Sequence, residues 1–211
     1  MSTPSPAPEL ILASTSPRRQ ELMRDAGYTF RVVGPDPNAE CGACSSGGPV
    51  ELVREYAVRK ATDVAQQLMH SNRENDLLLL AADTVAECQG QILGKPANED
   101  HARQMLQLMR GKLHRVITGL CLWRLPVEGE ADSPLVEAVV TSLRMDDIDD
   151  AAIEEYLESG GWEGKAGAFG YQDRLGWIHI QEGSESNVVG LPMERVKELL
   201  AAAQVFTSPG G

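Results

Sequence analysis

Leu-Ile-Leu-Ala-Ser-Thr-Ser-Pro-Arg-Arg, residues 10–19, is an apolar run that breaks at small hydroxyl residues and restarts as a helix. Ser16 suits the N-cap and Pro17 the first helical position. That helix is expected to run to Ala26 and to close at Gly27. A strand feeding straight into a helix aims unpaired backbone N–H groups beyond the strand, and the helix dipole makes that end positive. Arg18 and Arg19 add two cations in a first turn that the dipole makes unfavourable for them. A bound anion explains that cost, and phosphate is the anion such a helix start suits best.

Further along, Val50 to Met69 carries Leu52, Val53, Tyr56, Ala57, Ala61, Val64 and Leu68 on one helical face. Lys60 interrupts that face, so it must reach water or meet an anion; snorkelling to water is the commoner outcome. Leu77 to Ala82 is a continuous apolar run of the kind buried on both faces of a sheet. Asp83 follows it and reads as a carboxylate at a strand end, where open α/β sheets bind ligands. There it can hold a metal, activate water or merely cap a turn.

The remaining pattern alternates. Tyr28 to Val33 reads as a strand and Gly34 to Pro49 as a loop. Gln89-Gly90 marks a hairpin within 85–93, and Asn98 caps a helix that stops at Gly111. Arg115 to Trp123 and Glu137 to Met145 are strands, Asp149 to Ser159 a helix, Leu175 to Ile180 a strand and Pro192 to Ala203 the last helix. The segment Gly183 to Pro192 reads as an ordered loop. The chain is therefore mixed α/β: tails at 1–8 and 206–211 flank a single domain at 9–205.

The bulk numbers limit the partners. The chain has 211 residues and a net charge of -12, with 31 acidic against 19 basic residues. Nucleic-acid backbones should be repelled, since non-specific binding there rests on Lys and Arg. The basic residues noted above are local exceptions, suited to a small anion. No apolar run of about 18 residues exists to span a membrane, and the first eight residues lack a secretory pattern. Cys41 and Cys44 form a lone pair without the further ligands a zinc site needs. A cytoplasmic protein with reduced cysteines is the expectation.

Lys95, in Leu-Gly-Lys-Pro, is held extended by Pro96 and could aim an ammonium into a cleft; alone it reads as a solvated loop lysine. Gly164 to Gln172 is glycine-dense, which suits backbone packed close to a ligand or a tight core loop. Gln172 offers a paired donor and acceptor that can read a base edge. Together these residues fit a nucleotide whose phosphates are held by Arg and Lys while water attacks.

At these residues the chain resembles the Maf family of nucleoside triphosphate pyrophosphatases. The resemblance runs from about Leu10 to Leu200, through residues 10–19, Ala-Asp-Thr-Val (82–85), Leu-Gly-Lys-Pro (93–96), Lys-Ala-Gly-Ala-Phe-Gly-Tyr-Gln (165–172) and Ser-Asn-Val-Val-Gly-Leu-Pro (186–192). It implies an ITPase-like α/β fold, with an elongated, mostly antiparallel twisted sheet, flanking helices and two lobes around a cleft. It implies cleavage of a triphosphate to monophosphate and pyrophosphate, with a divalent cation, Mg2+ or Mn2+. By the same resemblance Asp83 is the catalytic aspartate, and Ser14, Ser16, Arg18, Arg19, Lys60 and Lys95 bind substrate. Glu40 joins Asp83 as a metal carboxylate. Arg19, Thr84 and Gln172 match the branch acting on dTTP and UTP, not the branch acting on 7-methyl-GTP, so a pyrimidine substrate is favoured. A homodimer is a family expectation. The enzymatic rival is a house-cleaning pyrophosphatase for modified nucleotides. The rival of another class is a nucleotide-binding regulator of cell division without turnover.

Overall fold

A computed structural model describes residues 7–37, 47–69, 73–171 and 175–205. In chain order the elements are β1 (Glu9–Ala13), α1 (Pro17–Asp25), β2 (Arg31–Val32), α2 (Gly48–Met69), β3 (Leu77–Cys88), β4 (Gln91–Leu93) and α3 (Glu99–Met109). They continue with β5 (Leu113–Leu125), β6 (Leu135–Met145), α4 (Asp150–Glu158), β7 (Ile178–Glu182), α5 (Glu185–Val189) and α6 (Met193–Ala202). The strands form a mixed, mostly antiparallel sheet in the order β2-β1-β3-β5-β6-β7, with β4 added on β3. β1 runs parallel to both β2 and β3, whereas β3/β4 and β6/β7 are antiparallel.

The chain divides into two compact units, and the division falls between Asp83 and Thr84. The first unit holds residues 1–83, 119–138 and 193–211. Its core is built where α2 lays Ala57, Ala61 and Val64 against Leu77, Leu79 and Ala81. Those three β3 residues alternate along the strand and so share one face. Backbone contact is close here: a Cβ placed on Gly119 of β5 would lie 2.2 Å from the Val53 carbonyl oxygen of α2. Only glycine admits that approach.

The second unit holds residues 84–118 and 139–192. Its core joins Leu106 and Met109 of α3, Ile153 and Tyr156 of α4, and Leu143 of β6. Tyr156, Phe169 and Trp177 stack as a trio with ring centroids 5.3–5.8 Å apart, the tilted geometry aromatic pairs prefer. Asn98 caps α3 by accepting the His101 N–H at 2.9 Å, and Asp149 caps α4 by accepting from Ala152 at 2.8 Å. The β3–β4 turn places Gln89 (φ 52°) and Gly90 (φ 80°) in the left-handed region, as a two-residue hairpin requires.

Four expectations need correction. β2 is two residues rather than six, because only Arg31 and Val32 pair with β1. The last strand is Ile178–Glu182, not 175–180, because β6 pairing begins at Ile178. Residues 183–192 are not all loop: Ser184 accepts the Asn187 N–H at 3.3 Å and starts the short helix α5. Asp83 does not end a strand, since β3 continues for five residues beyond it to Cys88. The apolar run stops at Asp83, but the ladder continues because β4 folds back on Ala86, Glu87 and Cys88.

Candidate active site

Asp83 lies on the β3 face that α2 covers, at the odd position following Leu77, Leu79 and Ala81. Lys60 extends the α2 stripe to meet it. The Lys60 Nζ donates to Asp83 Oδ1 at 2.7 Å, with side chains 5% and 17% exposed. Snorkelling, the commoner fate of such a lysine, is therefore not what happens; an anion waits on the sheet. Lys60 is buried because its position belongs to the helix's apolar face, and it is tolerated because its charge is paired.

Arg19 approaches from α1 and is also buried, at 8% exposure. Its Nη1 donates to the Ala82 carbonyl at 2.8 Å and to Ser14 Oγ at 3.3 Å. The residue before the carboxylate is thus held by a guanidinium. The same Ser14 Oγ accepts the Ser16 N–H at 3.2 Å. Ser16 has the extended backbone of an N-cap, with Pro17 after it, but its side chain makes no capping bond. Ser16 is thus the N-cap residue and Pro17 the first helical residue, as expected, while the side-chain bond that ties the loop comes from the serine two residues earlier. Arg18 is half-buried on α1. Among the described residues of this first unit, Ser14, Arg19, Lys60 and Asp83 form one connected group.

The second unit contains Thr84, Lys95 and the 165–171 loop. Thr84 follows Asp83, and the pleat of β3 turns it to the opposite face. Its hydroxyl donates to the Gly190 carbonyl at 3.3 Å and lies 2.9 Å from the Thr118 hydroxyl. Lys95 is exposed between β4 and α3. Its neighbour Gly94 accepts the Gly167 N–H at 3.0 Å, tying the lysine's turn to the glycine-rich loop. Gly167 has φ 70°, and a Cβ there would lie 3.0 Å from the Ala86 side chain, so glycine is needed. Glu40 and Gln172 lie outside the described residues, as do Cys41 and Cys44.

Sequence reasoning overlooked Thr118 and the carbonyls of Ala82 and Gly190. A threonine inside an apolar strand is ordinary, and backbone acceptors leave no trace in a sequence. Among the described residues no group of three or more His, Cys, Asp or Glu gathers to hold a metal ion. Cys88 and Cys121 are buried free thiols, and burial pushes Cys121 up to about 12, so it stays protonated and inert. Among the described residues no helix is long and apolar enough to cross a membrane.

The family model described as Maf-like protein matches residues 9–203. A dTTP/UTP pyrophosphatase of Rhodopirellula baltica is 52% identical over 93% of this chain and 83% of its own. Similarly named proteins of Dictyoglomus thermophilum and Symbiobacterium thermophilum are each 37% identical, covering 91% and 96% of this chain and 94% and 99% of theirs. Among solved structures, a HAM1 protein from Coxiella burnetii is 16% identical with a TM-score of 0.45, over 92% of this chain and 99% of that one.

Proposed function

This chain belongs to the Maf-like protein family, and on that premise we propose that it hydrolyses dTTP and UTP to the nucleoside monophosphate and pyrophosphate. The observation that carries the reading is the buried contact between Lys60 and Asp83, with Arg19 bound to the residue just before Asp83. A mere binder has little use for a carboxylate there, because a negative charge repels the triphosphate it would hold.

In the proposed reaction Asp83 orients a water and takes its proton as the oxygen attacks the α phosphorus in line. Lys60 fixes the carboxylate. Arg18, Arg19, Lys60 and Lys95 offset the charge gathering on the departing pyrophosphate, and the Ser14–Ser16 turn at the start of α1 supplies hydrogen bonds to phosphate. Positioning and charge stabilisation are most of what phosphoryl transfer asks of a protein. Gln172 reads the base through its amide. The donor set at hand suits Mg2+ or Mn2+ arriving with the substrate: such a cation keeps most of its shell as water and phosphate and takes one or two carboxylates. Asp83 is one, and Glu40 is proposed as the other. When bound, the cation would neutralise phosphate oxygens. The reaction belongs in the cytoplasm, where the triphosphate pool is used.

Pyrophosphate release from dTTP, UTP, the other triphosphates and modified pyrimidine nucleotides, with Mg2+ and with Mn2+, tests this. Asp83→Asn should abolish release from dTTP while the protein stays folded. Near-wild-type release in that variant removes Asp83 from the mechanism. Binding of dTTP without release by the wild-type protein makes it a regulator instead. Faster turnover of modified nucleotides makes it a house-cleaning enzyme.

A further inference from the structure

The proposed hydrolysis leaves a buried phenol of the second unit without a role. Tyr156 of α4 is 5% exposed, and its ring is fixed on several sides. Phe169 and Trp177 stack against it. A Cβ on Gly161 would lie 2.8 Å from its Cε2, so the chain just past the helix runs close over the ring. The Ser159 hydroxyl donates to the Tyr156 carbonyl at 2.6 Å and accepts the Gly161 N–H at 3.1 Å. Phenylalanine would satisfy all of this packing. The hydroxyl therefore serves another purpose, since a buried O–H is costly unless it is bonded.

That hydroxyl accepts the buried Gly170 N–H at 3.2 Å, from 14 residues away. Gly170 follows a strained stretch of loop. Gly167 and Ala168 stand side by side in the left-handed region, at φ 70° and 60°. Alanine adopts that conformation only where its surroundings impose it. Bonds along the loop do so: Gly94 accepts the Gly167 N–H, Lys165 the Ala168 N–H at 3.1 Å, and Tyr156 the Gly170 N–H. The first two lie within the backbone, whereas the third comes from a side chain. Strain sustained in this way clusters at ligand-handling segments, and Gln172 follows Gly170 by two residues.

We propose that Tyr156 is a positioning residue for base selection: its hydroxyl fixes the backbone at Gly170 and so governs the discrimination that Gln172, two residues on, exerts between pyrimidines. All the contacts that carry this lie within the second unit. The inference rests on the proposed hydrolysis and on the base reading proposed for Gln172.

Steady-state kinetics of the wild type, Tyr156→Phe and Trp177→Phe with dTTP and dCTP, thermal midpoints, and exchange of the wild-type Gly170 amide by NMR test it. Tyr156→Phe removes only the acceptor, leaving the Gly170 N–H unmatched. Trp177→Phe thins the same aromatic trio and leaves the hydroxyl in place. In Tyr156→Phe the preference for dTTP over dCTP in kcat/KM should fall about tenfold, through a higher KM for dTTP at little-changed kcat. Trp177→Phe should lower the thermal midpoint and keep the preference, and the Gly170 amide should be protected. A Tyr156 that only supports the fold would slow both nucleotides alike. An unchanged preference in Tyr156→Phe overturns the proposal, as does an equal loss of preference in Trp177→Phe. Free exchange of the Gly170 amide overturns it as well, and that reading needs no variant to fold. An active wild type indifferent to the base overturns the role given to Gln172, and this inference with it, but not the hydrolysis. Wild-type protein that releases no pyrophosphate from any triphosphate overturns the functional reading itself.

Discussion

At the scale of single residues, Lys60 and Asp83 show how a costly burial can be sustained. Each would be unfavourable alone, and at 2.7 Å each offsets the other. Removing one partner strands a mostly buried charge. Lys60→Met should therefore lower stability by about 2–4 kcal/mol and also remove pyrophosphatase activity. The double variant Lys60→Met, Asp83→Asn should be more stable than Lys60→Met, because no lone carboxylate remains. Urea denaturation of the four proteins in the cycle reads this. A double variant less stable than the single one would mean that packing, not charge, dominates the site.

At the scale of elements, the seat of α2 depends on a glycine in the neighbouring strand. The backbone of Val53 leaves no room for a Cβ on Gly119. Gly119→Ala should push α2 off β5, cost about 2–3 kcal/mol and weaken activity by displacing Lys60; thermal unfolding beside pyrophosphate release shows both losses. The sequence displayed most of these elements. Helices α3 and α4 announce their caps at Asn98 and Asp149, and α2 its stripe, because capping and periodicity are local. Helix α5 stayed hidden because five residues are too few to show a period. Asp83 was misplaced at a strand end because the apolar run stops there, whereas β3 is prolonged by pairing with β4. The motif residues of the first unit, Ser14, Arg19, Lys60 and Asp83, were legible as types. That Arg19 would grip the Ala82 carbonyl was not, since it depends on the folded backbone.

At the scale of the whole molecule, acid should act on the two units in turn. His114, in the second unit, is held below its ordinary value of 6.5 chiefly by burial. A depressed folded value means stability is fully present above pH 6.5 and drains as pH falls through the lower folded value. In the first unit Asp76 is held below 3.8, mainly by the Val127 N–H bond and then by Arg124, and Glu137 below 4.5 by the Arg195 hydrogen bond. Their contributions are complete above those values and vanish only in stronger acid. From pH 7.5 to pH 5, amide protection factors, corrected for the intrinsic exchange rate, should therefore fall first in residues of the second unit, and His114→Gln should suppress that fall. Equal loosening of both units in that window would contradict the assignment.

The setting of Asp83 inside β3, with residues of the same ladder before and behind it, makes the enzyme's chemistry sensitive to counting. Side chains along a strand switch sides at every step. Losing or gaining one residue between Leu77 and Ala82 would carry the carboxylate through to the far side of the sheet, away from Lys60, even if every neighbouring residue type were kept. The length of this strand is thus under as strict a constraint as its composition. Descendants of this sequence can exchange one apolar residue for another of similar size there, but cannot change how many residues precede Asp83.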